Sequence, residues 1–281
     1  MALRIVTDST SDLSPALLAK YGISMVPLTV HFGPESFLEG VQLSTDDFWT
    51  KVQSSPFHPK TAQPAPGDFL QVFQRLHAEG HEILCVCISA NLSGTMNSAQ
   101  IAAQMLPEAK ITVVDTRSVT LGLGMMVIEA ARLAEAGTPT ADVVRRIDEI
   151  AGRMNILFTL DSLEFLQKNG RVGKAASLLG GLLGLKLILQ VDREGVVAPA
   201  DKVRGRSKVL PRALEMLQER VPAGRKVRMA ILHANVPEQA QLWVDEVSKV
   251  WDVQEYWVGP IGAVVGTNAG PGTVGVVLYE I

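Results

Sequence analysis

Three short segments of this sequence concentrate side chains that can bind or react. They are Thr7-Asp8-Ser9-Thr10, Ser89-Ala90-Asn91-Leu92-Ser93-Gly94-Thr95 and Asp115-Thr116-Arg117-Ser118. Each follows an apolar, β-rich run (RIV, EILCVCI and KITVV) and leads toward a helical pattern. In open α/β sheets, ligands bind at the carboxyl ends of strands, near the amino ends of helices. Helix capping and turn chemistry would account for any one segment, but three in one sheet make a candidate binding surface. Ser93-Gly94-Thr95 is the most informative. A serine at a helix start, followed by glycine, leaves backbone N–H groups pointing outward beside a hydroxyl, which suits an anion.

Several other chemistries lack their residues. The sequence contains no GxxxxGK[ST], no GxGxxG after the first strand, no GxSxG and no HExxH. A phosphate loop, a dinucleotide fold, a nucleophile elbow and a zinc-protease helix are therefore not indicated. Gly122-Leu-Gly124 falls on a helical pattern and reads as packing. His31, His58, His77, His81 and His233 are scattered, and none neighbours an obvious nucleophile. That leaves open only a triad assembled in space. Cys85 and Cys87, two apart in ILCVCIS, share one face of a strand. With no further ligands standing nearby, they read as small buried hydrophobes and not as a metal site.

The elements that must position these segments alternate through the first half. RIVTDS is a strand. Ser14-Pro15 starts a helix that Gly22 stops. SMVPLTV is a strand that Pro27 confines to an edge or a bulge. Ser44, with Asp46 and Asp47 in the first turn, opens another helix. Pro66-Gly67-Asp68 opens FLQVFQRLHAE, EILCVCIS is a strand buried on both faces, and Ser93 opens TMNSAQIAAQML. After the strand KITVVDT come helices over 121–136 and 143–151, the second capped by Thr140. Strands separated by helices imply a parallel sheet with right-handed crossovers.

The second half holds more β-structure with less regular alternation, which suggests a mixed sheet. Strands are expected at NILFTL, LILQV, VRMAILHA, QEYWVG, GAVVGT and VGVVLYE, and helices around SLEFLQK, 209–220 and EQAQLWVDEVSKVW. Gly180, Gly181 and Gly184 leave room for close backbone approach or for a tunnel. The expectation is an α/β protein of two domains. Residues 1–155 form an N-terminal α/β/α domain with a parallel sheet, and residues 156–281 a C-terminal α/β domain with a mixed sheet.

Composition agrees with a folded α/β chain. A hydrophobic fraction of 47% over 281 residues supplies a sizeable core. Lys+Arg 26 against Asp+Glu 29 is no concentrated basic charge, which argues against nucleic acid as partner. Two cysteines make no disulfide framework. The start MALRIVTDSTSDL lacks the pattern of a signal peptide. ASLLGGLLGLKLILQV is broken by glycines and a lysine, so no integral membrane segment is expected. A cytoplasmic protein is the expectation.

Taken together, the segments resemble the DegV family of bacterial fatty-acid-binding proteins, across nearly the whole chain. IVTDSTSDL resembles the family's first strand and turn, KTAQPAPGDF its TSQPSPGDF segment, and ISANLSGTMNSA its SSxLSGTYxSA segment. VVDTRSVTLGLG is similar to the segment that follows, LEFLQKNGRVGKAASLLGG to its LxxLxxGRIx region, and VGTNAGPGTVGV to its GTHxGPGAxG segment. The resemblance implies a lipid carrier, not an enzyme. Such a protein holds a long-chain fatty acid such as palmitate non-covalently and presents its carboxylate to a partner fatty acid kinase. It implies no cofactor and no metal, and it carries the head-group hydroxyls onto Thr61 and Ser93, with Gly94 beside them. Arg171, in NGRVG, would steady the head-group region, and Asn268 would face the head group from the glycine-rich turn before the last strand.

Three departures from the family pattern stand out. Ala62 and Ala65 stand where the family often has serine, and Asn268 where it usually has histidine. Asparagine still donates and accepts hydrogen bonds but carries no charge. Two other readings compete with the carrier. One is an enzyme using the same strand-end residues on a small phosphorylated or carboxylated metabolite. The other is a regulatory interaction module docking through the basic cluster Arg204-Gly205-Arg206-Ser207-Lys208.

Overall fold

Apolar runs too short for a helix and too continuous for a one-sided strand dominate the first half, and they assemble as a parallel sheet. The structure is a computed structural model describing residues 2–178 and 184–281. It divides into two units. One runs to Gly152 and includes Gly262–Val264; the other comprises Arg153–Ile261 and Val265–Ile281. The three-residue return of the chain to the first unit has no counterpart in the sequence reading.

In the first unit the elements are β1 (Leu3–Asp8), α1 (Pro15–Lys20), β2 (Ser24–Val26), β3 (Thr29–Phe32), β4 (Glu35–Leu38), α2 (Thr45–Ser54) and β5 (Lys60–Ala62). They continue with α3 (Pro66–Ala78), β6 (Glu82–Cys87), α4 (Thr95–Gln104), β7 (Ile111–Asp115), α5 (Leu121–Glu135) and α6 (Thr140–Arg153). The sheet order is β2-β1-β6-β7, every pair parallel. One face carries Val6, Ile83, Cys85 and Cys87 against Phe69, Phe73 and Leu76 of α3 and Ala99 and Ala102 of α4. The two cysteines are free and buried, their sulfurs 3.6 Å apart on that face. Alternate residues such as Leu84 and Val86 are equally buried on the opposite face, and α5 packs against β1 and β6.

Local signals set most boundaries. Ser14 and Ser44 cap α1 and α2 through their hydroxyls, and Pro15 and Pro66 sit in first turns. Other expectations are corrected. SMVPLTV is two strands in two sheets, because Pro27 has no N–H to continue a ladder; β3 instead centres a small antiparallel sheet, β4-β3-β5. Thr140 is the first residue of α6 and not its cap, and its hydroxyl donates to Glu82 Oε1 at 2.7 Å. Helix α4 begins at Thr95, with Gly94 and not Ser93 at its cap position.

The second unit contains β8 (Asn155–Thr159), α7 (Glu164–Lys168), β9 (Leu185–Val191), β10 (Val197–Arg204), α8 (Val209–Arg220) and β11 (Lys226–His233). After these come α9 (Pro237–Val250), β12 (Asp252–Pro260), α10 (Ala263–Ala269) and β13 (Val274–Glu280). The sheet order is β10-β9-β8-β13-β11-β12, with β11 and β12 parallel and all other pairs antiparallel. Helices α8 and α9 cover one face through Val209, Ala213, Leu217, Trp243, Val244 and Val247.

Strand β10 has no counterpart among the expected strands. Pro199 argues against a central strand, but β10 is an edge strand and its register shifts between Pro199 and Asp201. GAVVGT, expected as a strand, is helical. Its place in the sheet is already filled, since β13 pairs directly with both β8 and β11, and tertiary context overrides the β-propensity of its valines. Gly184 opens β9 at φ +74; Gly180 and Gly181, also read as allowing close approach, lie outside the described residues.

Candidate functional site

The carboxyl ends of β1, β6 and β7 lie side by side, with Thr7 opposite Val86 and Cys87 opposite Asp115. The three polar segments therefore do meet at one end of the parallel sheet. Most of the first and last segments is not surface, however, although Asp115 and Arg117 are only half-buried. Thr7, Asp8, Ser9, Thr10, Thr116 and Ser118 are all buried, and their polar groups brace the backbone. Asp8 accepts from the amides of Thr10 at 3.0 Å and Ile88 at 2.9 Å and from the Thr10 hydroxyl. Thr7 Oγ1 donates to Val86 O at 2.9 Å, and Thr116 Oγ1 to Cys87 O at 2.8 Å. Burial pushes the Asp8 carboxyl up, and these donors work against the shift.

The middle segment differs. Ser93 and Gly94 are half-buried just ahead of α4. Ser93 Oγ lies 2.8 Å from Thr95 Oγ1 and accepts from the Thr95 amide at 3.3 Å. The cap residue, Gly94, has no side chain to offer, so apart from the Thr95 amide the first turn presents its donors and the positive end of the helix dipole. Thr61 sits half-buried on β5 opposite Val30. Two residues on, Gln63 reaches α4: its Nε2 donates to Ser98 Oγ at 3.0 Å, and its amide group lies against Gly94. Thr61, Ser93 and Gly94 thus belong to the first unit, and Gln63 links the segment after β5 to the start of α4. The sequence offers little to single out Gln63; its signal is a lone amide inside KTAQPAPG.

Arg171 and Asn268 belong to the second unit. Arg171 is exposed and its NH1 donates to Asn169 O at 2.7 Å. Asn169 Nδ2 in turn donates to Thr267 O at 2.8 Å, which stitches the Arg171 segment to α10. Asn268 is half-buried on α10, one residue before its end. It does not lie in the glycine turn, which follows at Gly270 and Gly272, both at positive φ. Phe165 of α7 lies where a Cβ on Gly270 would be, its Cδ2 only 2.8 Å away. The turn therefore needs glycine for contact as well as for conformation.

A second polar cluster of the first unit had no reading in the sequence. Glu39 Oε2 accepts from Ser9 Oγ at 2.5 Å, and Glu39 Oε1 from the Val264 amide at 2.7 Å. The carboxyl oxygens of Asp12 are buried beside it. Both carboxyls crowd Gly262, where a Cβ would meet Asp12 Oδ1 at 2.5 Å and Glu39 Oε1 at 2.7 Å. Burial raises Glu39 to about 7 against the pull of the Ser9 and Val264 donors, and burial with the Glu39 charge raises Asp12 well above the carboxylate range. Among the described residues no group of three or more His, Cys, Asp or Glu side chains could hold a metal ion, and no helix is long and apolar enough to cross a membrane.

The chain is similar to known proteins along its whole length. The profile of the DegV family, described as uncharacterised protein, DegV family, matches residues 2–280. A DegV domain-containing protein of Deinococcus radiodurans is 40% identical over 281 residues, covering 100% of this chain and 99% of the relative. Among solved structures, a DegV family protein from Thermus thermophilus, described for its fatty acid binding, superimposes with a TM-score of 0.93 at 34% identity, covering 100% of both chains. DegV of Bacillus subtilis, described as a fatty acid binding protein, gives 0.89 at 30% identity, also over 100% of both chains.

Proposed function

The chain belongs to the DegV family, and on that premise we propose that it is a carrier: it binds a long-chain fatty acid non-covalently and presents the carboxylate to a partner fatty acid kinase. The observation that carries this reading is the amino end of α4, with glycine at its cap position and the Ser93 hydroxyl beside it, in a chain matched end to end by structures described as fatty acid binding. A carboxylate takes N–H and O–H donors and gains from the helix dipole. Thr61 and Ser93 of the first unit supply hydroxyls.

The acyl chain supplies most of the affinity. At about 0.8 kcal/mol per buried methylene, a 16-carbon tail contributes roughly 10 kcal/mol as an upper bound before ordering costs. That suffices for retention without a covalent bond. The carrier works in the cytoplasm, where acyl carboxylates and a kinase meet, and palmitate is a suitable first ligand.

Removing both hydroxyls tests the site. Each hydrogen bond to a charged group is worth about 1.5–3 kcal/mol. Thr61→Val with Ser93→Ala is therefore expected to weaken palmitate binding to the delipidated protein at least tenfold. Unchanged affinity in that titration rejects the assignment. Native mass spectrometry of the gently purified chain should show a co-purified mass in the range of 14- to 18-carbon acids; a bare chain speaks for the metabolite enzyme instead.

A further inference from the structure

We infer that Gln63 is a positioning residue for the carboxylate site: it holds the amino end of α4 against the segment that carries Thr61 and keeps a side chain off the Gly94 cap position. The inference rests on the carrier reading and deepens it. Its ground is a steric pairing between Gln63 and Gly94. A Cβ at position 94 would meet the Gln63 amide group, with Cδ at 2.7 Å and Nε2 at 2.9 Å. Real Cβ atoms do not approach so closely, so the exposed Gln63 side chain would have to move and give up its bond to the buried Ser98 Oγ, 3.0 Å away.

Gly94 has φ −75 and ψ 7, a conformation open to any residue, so backbone strain does not explain the glycine. Ser, Thr, Asp and Asn are the favoured residues at a helix cap. Here each would collide with Gln63. The occupied space keeps a side chain off the cap position itself, while Ser93 Oγ, one residue earlier, takes the Thr95 amide at 3.3 Å. Fold stability is a poor account of the contact. Ordering a glutamine side chain costs up to about 2 kcal/mol, and one neutral hydrogen bond returns about 1. The orientation also fits: with Nε2 committed to Ser98, the carbonyl end of the amide lies over Gly94, toward the positive end of α4.

The test uses the delipidated full chain and two probes of equal length, palmitate and hexadecanol, by equilibrium titration. Gln63→Ala is expected to weaken palmitate at least fivefold and hexadecanol less than twofold, because only the charged head group uses the site. Gln63→Glu keeps the shape and adds a negative charge beside the carboxylate. It should weaken palmitate more than Gln63→Ala does and again spare hexadecanol. Gly94→Ala should weaken palmitate at least tenfold in the wild-type background and less than threefold in a Gln63→Ala background, where the colliding group is gone. The melting temperatures of the same four proteins should show that dependence on background without any ligand. A parallel loss of both probes in Gln63→Ala and Gln63→Glu, or an equal effect of Gly94→Ala in both backgrounds, overturns the inference. Wild-type protein that binds neither probe rejects the carrier reading itself, while the melting temperatures still decide the steric pairing.

Discussion

Glu39 shows what burial does to a single carboxyl group. Its ordinary value of 4.5 rises to about 7 in the folded protein because water is excluded and, to a smaller extent, because the Asp8 charge is close by. A raised acid holds its proton more readily when folded, so its contribution is fully present below about pH 4.5 and is lost as pH rises through 7. The loss is of the order of 3 kcal/mol, each tenfold change in proton affinity being worth about 1.4 kcal/mol. Glu39→Gln should reduce that slope, leaving the part that Asp8 and Asp12 contribute, and leave the protein more stable than wild type at pH 8, as read by urea unfolding at pH 5 and pH 8. Equal slopes in the two proteins would show that Glu39 is not the titrating group. Asn268 is the opposite case. Asparagine does not titrate, so palmitate affinity should stay nearly flat from pH 5.5 to 8 after correction for the ligand's own ionisation. Asn268→His should introduce a step near pH 6.5. A one-proton step in the wild type would place some other group at the head-group site.

At the scale of elements, close approach decides. Helix α5 lies on the turn after β1, and a Cβ on Gly124 would meet Ser11 O at 2.6 Å and Leu13 Cδ2 at 2.9 Å. Of the two glycines in Gly122-Leu-Gly124, Gly124 is thereby explained as packing against backbone, which cannot yield as a side-chain tip can. Gly124→Ala should destabilise the protein by about 1–3 kcal/mol through overpacking. Gly152→Ala, where nothing lies within 4 Å of the added methyl, should not destabilise. Unfolding midpoints of the two variants compare them directly, and similar values would mean that α5 has room to move.

For the molecule as a whole, a ligand that binds only the folded state stabilises it by mass action. Palmitate at 100 times its Kd should add about 2.7 kcal/mol and raise the melting temperature by several degrees. Hexadecanoyl methyl ester, which lacks the carboxylate, should raise it less at the same concentration; an equal rise would mean that the head-group site contributes nothing. The chain alone is expected to turn over neither ATP nor esters, since its sequence contains no phosphate loop and no nucleophile elbow. Sustained turnover by clean protein, abolished by a substitution at a strand-end residue, would favour the enzyme reading.

Local physics made much of this protein legible in its sequence. The continuous apolar run of β6, the caps at Ser14 and Ser44, the prolines opening α1 and α3, and the motifs shared with the DegV family all depend on neighbouring residues. So did the meeting of three polar segments at the end of a parallel sheet, since strand ends and helix starts alternate along the chain. Which of those segments is closed bracing and which is an open helix end depended on burial, and burial is set by what packs on top. The helix over Ala263–Ala269 and the edge strand containing Pro199 were likewise decided by which places in the sheet other strands already filled. Gln63 across Gly94, and Glu39 against an amide 225 residues away in sequence, are contacts between distant segments. No local propensity encodes them; only the folded chain brings those atoms within reach.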